Sequence, residues 1–275
     1  MLGRLCRALD GLRATRLWQD LDARGRVSLL THSGPWVGGF WTAGALRWAR
    51  PANCQWRTAL RRRLGAPVVQ GDARCQLTRQ SADPDAGEAP CAAPLDVWGD
   101  HALACPSKEG RLRVHHAIAQ GLAVELRQLG GATVVCEKRV PELHQRTEAG
   151  EVVEAILDLE VGWPATVGAH WVDVHLRTPF SADAAQSTAG LAAEAGDRRK
   201  VKRYGPSVLP FGVEVGGRLS RQAVAACAGL ARDAVEWGWR PGRRQVTLTA
   251  RRLAMRASTL AELGAAGIVL AAVGG

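Results

Sequence analysis

The residues from Glu154 to Phe180, EAILDLEVGWPATVGAHWVDVHLRTPF, constrain the fold more than any other stretch. With period two, Val153, Ala155, Leu157, Leu159 and Val161 fall on one face, and Glu154, Ile156, Asp158 and Glu160 on the other. That alternation predicts a half-buried strand with its acids on the exposed side. After a break punctuated by Gly and Pro, Val172, Val174 and Leu176 alternate with Asp173 and His175, which predicts a second strand from Trp171 to Arg177. If the strands are neighbours sharing a buried face, Asp158 and Asp173 project from the same side of one sheet. Adjacent carboxylates repel unless a cation sits between them. Hard oxygen ligands suit Mg²⁺ or Mn²⁺. The plainer reading is a hairpin with acids on its wet face, and periodicity alone does not separate the two.

The chain has 275 residues with 47% hydrophobic content, enough for one large or two small folded domains. Its net charge of +10 and pI near 10.0 favour a polyanionic partner, most simply nucleic acid. The 36 basic residues include Lys108, Lys138, Lys200 and Lys202 as the lysines, which makes those positions informative. The 7 cysteines are scattered and odd in number, unlike a secreted disulfide framework. Charges run through the N-terminal segment, so no signal peptide is expected. The apolar tail from Leu263 to Val273 is short for a bilayer span. The expected protein is intracellular and not secreted, with no membrane and no small-molecule substrate.

Four regions follow. Residues 1–74 form an Arg-rich helical and linker region, with helices expected at about 3–23 and 53–65. The second helix carries Arg61, Arg62 and Arg63, which make either a solvated face or a phosphate-contacting one. Residues 75–110 hold Cys75, Cys91, His101 and Cys105. Three sulfurs and an imidazole make a closed tetrahedral set for structural Zn²⁺, although unliganded thiols are the plain alternative. The segment between Cys75 and Cys91 is long for a knuckle and reads as a floppy insertion. Residues 111–240 alternate helix, strand, strand, strand, helix, strand, helix, an α/β unit with a mixed sheet and helices on both faces. Ile118, Leu122, Leu126 and Leu129 stripe its first helix. Lys200 and Lys202 sit on the helix after the acidic strands, and Glu214 on the fourth strand. Residues 241–275 read as one or two C-terminal helices.

This order is that of the PD-(D/E)XK core of restriction endonucleases. The chain resembles, over most of its length, the zinc-knuckle and restriction-endonuclease-like region downstream of the reverse transcriptase in site-specific, LINE-type non-LTR retrotransposons. CAAPLDVWGDHALAC is similar to their Cys-Gly-x-x-x-Asp-x-x-Gly-Asp-His-Ala-Leu-x-Cys knuckle and is the most specific stretch. Asp158 and Asp173 fit the spacing of the acids in their PD…D signature. Lys200, Tyr204 and PFGVEVGG resemble the Lys…Tyr…Pro-x-x-x-Glu-x-x-Gly tail. GRLRVHHAIAQGL resembles their Arg-His-Asn helix start, with His115 matching and Val114 and His116 departing. Leu157 stands at the Pro position, and His175 at the lysine of D-x-K.

The resemblance implies a Mg²⁺-dependent (or Mn²⁺-dependent) DNA endonuclease that nicks strands by phosphodiester hydrolysis. Asp158 and Asp173 would be metal ligands, with Glu214 or Glu160 completing the set. Lys200 or Lys202 would be the catalytic lysine. Arg61, Arg62, Arg63, Arg113, His115, Arg198, Arg199 and Arg203 are the candidate contacts to DNA or element RNA. A retroelement protein would be nuclear. No Tyr/Phe-x-Asp-Asp polymerase box is present, so any polymerase would act in trans. The departures also fit an alternative, a catalytically inactive nucleic-acid-binding remnant.

Overall fold

The computed structural model describes residues 2–37, 39–42, 51–80, 88–107, 109–129, 131–163, 168–180, 190–236 and 243–274. Its helices are α1 (Leu2–Asp20), α2 (Ala23–Thr31), α3 (Gly39–Thr42), α4 (Asn53–Arg63), α5 (Asp100–Ala104), α6 (Glu109–Arg127), α7 (Leu191–Tyr204), α8 (Arg221–Ala234) and α9 (Arg243–Ala272). Its strands are β1 (Thr78–Gln80), β2 (Glu88–Pro90), β3 (Thr133–Arg139), β4 (Gln145–Arg146), β5 (Val152–Val153), β6 (Ile156–Gly162), β7 (His170–Arg177) and β8 (Val208–Glu214). The fold is mixed α/β.

The central sheet has the order β3-β6-β7-β8. β3, β6 and β7 are antiparallel neighbours, while β8 runs parallel to β7. A parallel partner needs a crossover, and α7 supplies it. The order helix, three strands, helix, strand, helix expected downstream of residue 111 is therefore present. One buried cluster joins Ile118 and Leu122 of α6, Leu159 and Val161 of β6, Val172 and Val174 of β7, and Phe211 of β8 to α8 and α9. α6 and α8 thus cover one sheet face, with α9 behind them, and α7 covers the other.

Three local expectations change. The helix expected at 3–23 ends at Asp20, because Asp22 turns the chain and caps α2 by accepting from the Gly25 N–H at 2.6 Å. Val153 leaves the run of β6: it pairs with Gln145 in a separate ribbon and is exposed. The acid-bearing face is not wet, since Asp173 and His175 are only 3% and 5% exposed under α7. A strand with both faces covered keeps its alternation of residue types but not of burial.

The C-terminal region is a single helix. Its Gln245–Ala272 stretch is long and apolar enough to cross a membrane by length and composition, yet 72% of the most apolar window is buried inside the protein. It is a core helix, with its buried Glu262 ion-paired to Arg63 of α4 and its Arg256 donating to Glu125 of α6 at 2.6 Å.

Candidate functional site

The two acidic strands do meet. The pairing of β6 with β7 runs from Val161↔His170 to Leu159↔Val172 and goes no further. At the next position, Asp158 enters the gap between the strands. Its Oδ2 accepts the Val174 N–H at 2.6 Å, standing in for a strand carbonyl. Asp173 lies opposite, close enough for each carboxyl to shift the other's titration. From the helix side, Lys200 Nζ pairs with Asp173 Oδ2 at 2.7 Å. From α6, His115 Nε2 sits 3.2 Å from Asp158 Oδ2 and 3.0 Å from Val174 O. Both neighbours are acceptors, so Nε2 carries the proton. Four side chains from α6, β6, β7 and α7 therefore converge.

Electrostatics separates the two acids. Burial pushes Asp158 up, but the His115 hydrogen bond and charge, with the Val174 N–H, hold it below the ordinary aspartate value. Burial dominates at Asp173: Lys200 pulls it down, Asp158 pushes it up, and its pKa ends raised. His115 is raised, since Asp158 outweighs its burial. Two neighbouring carboxyls thus share one buried spot, one held ionised beside His115 and the other reluctant to ionise.

The other candidates are placed as follows. Lys202 is exposed on α7, away from the acids. Glu160 is engaged by Lys138 at 3.1 Å and by the Trp171 Nε1–H at 3.1 Å. Glu214 is not brought to the pair. In the β7/β8 register Asp173 faces Pro210 and Arg177 faces Glu214, so Glu214 lies roughly 13 Å further along the sheet at ~3.3 Å per residue. There it is buried against Thr31 and the backbone of Ala193 and Ala192. His175, at the D-x-K position, binds Asp197 of α7 at 2.8 Å inside the protein. That pair requires glycine at 196 and 212, where an added Cβ would lie 2.3 Å and 2.8 Å from the His175 ring.

The arginine run divides. Arg62 is buried, donating to Trp98 O at 2.6 Å and facing Asp100 at 3.5 Å. Arg63 pairs with Glu262 and donates to His32 O. Both hold the N-terminal region to the body rather than facing solvent. Arg61 is exposed and donates to Pro67 O. Arg113, Arg198, Arg199 and Arg203 are exposed on α6 and α7, with Arg203 stacked on the Tyr204 ring at 4.8 Å.

Cys75, Cys91, His101 and Cys105 form one cluster whose ligand atoms all lie within 4.8 Å of one another. Cys75 Sγ and Cys105 Sγ are 3.9 Å apart, and Cys91 Sγ is 3.5 Å from His101 Nε2. Tetrahedral Zn²⁺ with bonds of about 2.3 Å to sulfur and 2.0 Å to nitrogen needs roughly 3.8 Å and 3.5 Å for these separations. The cluster can hold a metal such as zinc. Burial pushes the Cys75 thiol up to about 12 and raises that of Cys105, so these two sulfurs become thiolates readily only beside a cation.

The insertion between the first two cysteines is organised where described. β1 and β2 pair as a hairpin, and the ladder continues through Cys91 N–H to Leu77 O and Cys75 N–H to Ala93 O, both 2.9 Å. Cys75 and Cys91 are cross-strand neighbours, so their distance in sequence is only the length of the hairpin arm. Residues 81–87 at its tip lie outside the described residues. Asp96 orients the other half, accepting from the N–H groups of Trp98, Asp100 and His101 at 3.0, 3.0 and 2.8 Å. Burial raises its pKa, but those donors outweigh it and leave the acid lowered. Sequence reading did not single out Asp96 or Asp197. The Asp-x-x-Gly-Asp-His spacing carried the signal for the first, and nothing local marked the second.

No family model matches the chain, and neither a curated protein nor a solved structure matches it.

Proposed function

We propose that this chain is a metal-dependent DNA endonuclease of PD-(D/E)XK type, derived from a non-LTR retrotransposon. The observation that carries the reading is the convergence of Asp158, Asp173, Lys200 and His115 where β6 and β7 part. A zinc knuckle and a restriction-endonuclease-like core are the finer forms of the Cys/His cluster and the mixed sheet.

Asp158 and Asp173 would hold Mg²⁺ or Mn²⁺, which when bound supplies an acidified water and charge to balance the phosphorane. Lys200 is the donor that faces this chemistry, able to orient the water or stabilise charge developing on phosphate oxygen. His115 is a positioning residue: its Nε2–H locks the Asp158 carboxylate to the strand gap. His175 takes no part, because its Nε2 is held by Asp197 inside the protein. Arg113, Arg198 and Arg203 are exposed on the helices that carry His115 and Lys200, and would hold DNA through its phosphates.

The test is nicking of supercoiled plasmid by the purified chain with Mg²⁺ or Mn²⁺, beside Asp158→Ala/Asp173→Ala. Metal-dependent nicking that disappears in the double variant is expected. Equal nicking by the variant would remove the site assignment. No nicking by either, with salt-sensitive DNA binding by both, would favour the inactive binding remnant.

A further inference from the structure

A second constellation lies at the C-terminal end of β7, four residues beyond Asp173. A cavity of about 300 Å³ opens between α5, the start of α6, the end of β7 and α7. Arg111 of α6, Arg177 of β7 and Arg199 of α7 all line it. Among the described residues, no carboxylate forms an ion pair with any of the three. Arg111 donates to the Ser107 carbonyl, at 3.5 Å. The Arg177 Nε–H is buried without a partner. Asp197, the acid whose charge reaches Arg177, holds His175 with its Oδ1 and leaves its buried Oδ2 without a hydrogen-bond partner. Burial lowers the pKa of Arg177, and Arg199 and Arg111 lower it further, so the three cations work against one another.

The site is built, not accidental. Arg177 lies over Gly196 of α7, where a Cβ would come 2.8 Å from its Nε. A glycine inside a helix costs about 1 kcal/mol against alanine, and here it makes room for His175 and Arg177. The apolar wall, Leu103 and Ala104, lies between the metal-cluster residues His101 and Cys105, so the cluster fixes one side of the cavity. Three guanidinium forks around a half-enclosed space match the planar, multidentate recognition that phosphate oxygens reward.

We propose that the Arg111–Arg177–Arg199 cavity is a phosphate-binding site, separate from the acid pair. Asp173 and Arg177 are four residues apart on β7, so the two sites lie roughly 13 Å apart at ~3.3 Å per residue. That separation lets one nucleic-acid strand engage both. The choice of a strand phosphate as the occupant rests on the function proposed above, but the anion chemistry of the cavity does not.

The test uses the full chain and never reads nicking, so it stands if the nuclease reading fails. Inorganic phosphate is titrated at low salt while thermal stability is followed, and 5′-phosphorylated and 5′-hydroxyl oligonucleotides are compared by anisotropy. The variants are Arg199→Gln, at an exposed position where folding is not at risk, and Arg111→Gln/Arg177→Gln. Phosphate should raise the melting temperature of the native chain and not that of the double variant. Oligonucleotide affinity should fall about tenfold or more in both variants, with the salt slope reduced by roughly 1 for each arginine replaced. Stabilisation by phosphate with unchanged oligonucleotide affinity would support the anion site but make its occupant a free phosphate compound. Native-like responses of Arg199→Gln and the double variant to both probes would overturn the proposal.

Discussion

At the scale of single residues, the sharpest distinction is between two lysines separated by one position. Lys200 touches Asp173, whereas Lys202 points away into solvent. Under the proposed function Lys200→Met should lower nicking by about 10²–10³-fold, the usual cost of removing one donor to developing charge, and Lys202→Met should stay within a few-fold. Similar losses in both would show that α7 acts through its charge alone. Glu214 makes a second distinction. Burial raises its pKa above the ordinary 4.5, so the unfolded chain releases this proton first. As pH climbs from about 4.5 through the raised folded value, the folded state loses stability relative to the unfolded. Glu214→Gln removes that decline, so its melting temperature relative to the native chain should rise between pH 4.5 and pH 8 while nicking persists. Loss of nicking in this variant would return Glu214 to the metal site. The acid pair was legible because alternation fixes which strand residues share a face. The lysine was not, because the rotation of α7 over the sheet is set by Gly196 and Gly212 making room for the His175 ring. Arg62 and Arg63 misled for a related reason: a basic run gives charge, but the half-buried Asp100 and buried Glu262 that turn those arginines inward lie far away in sequence.

At the scale of elements, the mixed sheet and its crossover could be read from periodicity, but the packing of α6 on α9 could not. Their contact is close because Gly264 of α9 faces Val114 of α6, where an added Cβ would lie 2.6 Å and 2.7 Å from the valine methyls and 3.1 Å from its Cβ. Val114 is also a position where the chain departs from the retrotransposon helix start, and it is buried in this interface. The departure is therefore matched by packing on a helix that the motif does not include. Gly264→Ala gains about 1 kcal/mol in helix propensity but forces methyl against a stiff β-branched side chain, and overpacking typically costs 1–3 kcal/mol. The expected net effect is destabilisation of up to about 2 kcal/mol in urea, relieved when Val114→Ala is added. A Gly264→Ala variant as stable as the native chain would mean that α6 and α9 have room to part.

At the scale of the whole molecule, the Cys/His cluster is where the separate parts of the chain are tied together. Its hairpin meets the end of α9 through the Gln76 N–H to Ala272 O bond at 2.9 Å. Its helix α5 begins with Asp100, which receives Arg24 of α2 at 2.6 Å and faces Arg62 of α4. The same helix walls the arginine cavity against the sheet. A metal here would thus hold the N-terminal helices, α9 and the sheet in one arrangement, and its binding free energy would count as folding free energy. The sequence showed three of the four ligands as a compact group but made the fourth look remote, because a hairpin brings Cys75 to Cys91 and hairpin pairing has no short-range signature here. The expected metal content is about one Zn²⁺ per chain, lost in Cys75→Ser as well as in Cys105→Ser, since a tetrahedral structural site keeps no spare ligand. Chelation should then expose the N-terminal helices to limited proteolysis before the sheet, because Asp100 is their anchor and loses its fixed position with His101. Cys75→Ser retaining full zinc would make Cys75 a buried thiol beside a three-ligand site. A protease pattern unchanged by chelation would show that the Arg24 and Arg62 contacts hold the N-terminal region without the metal.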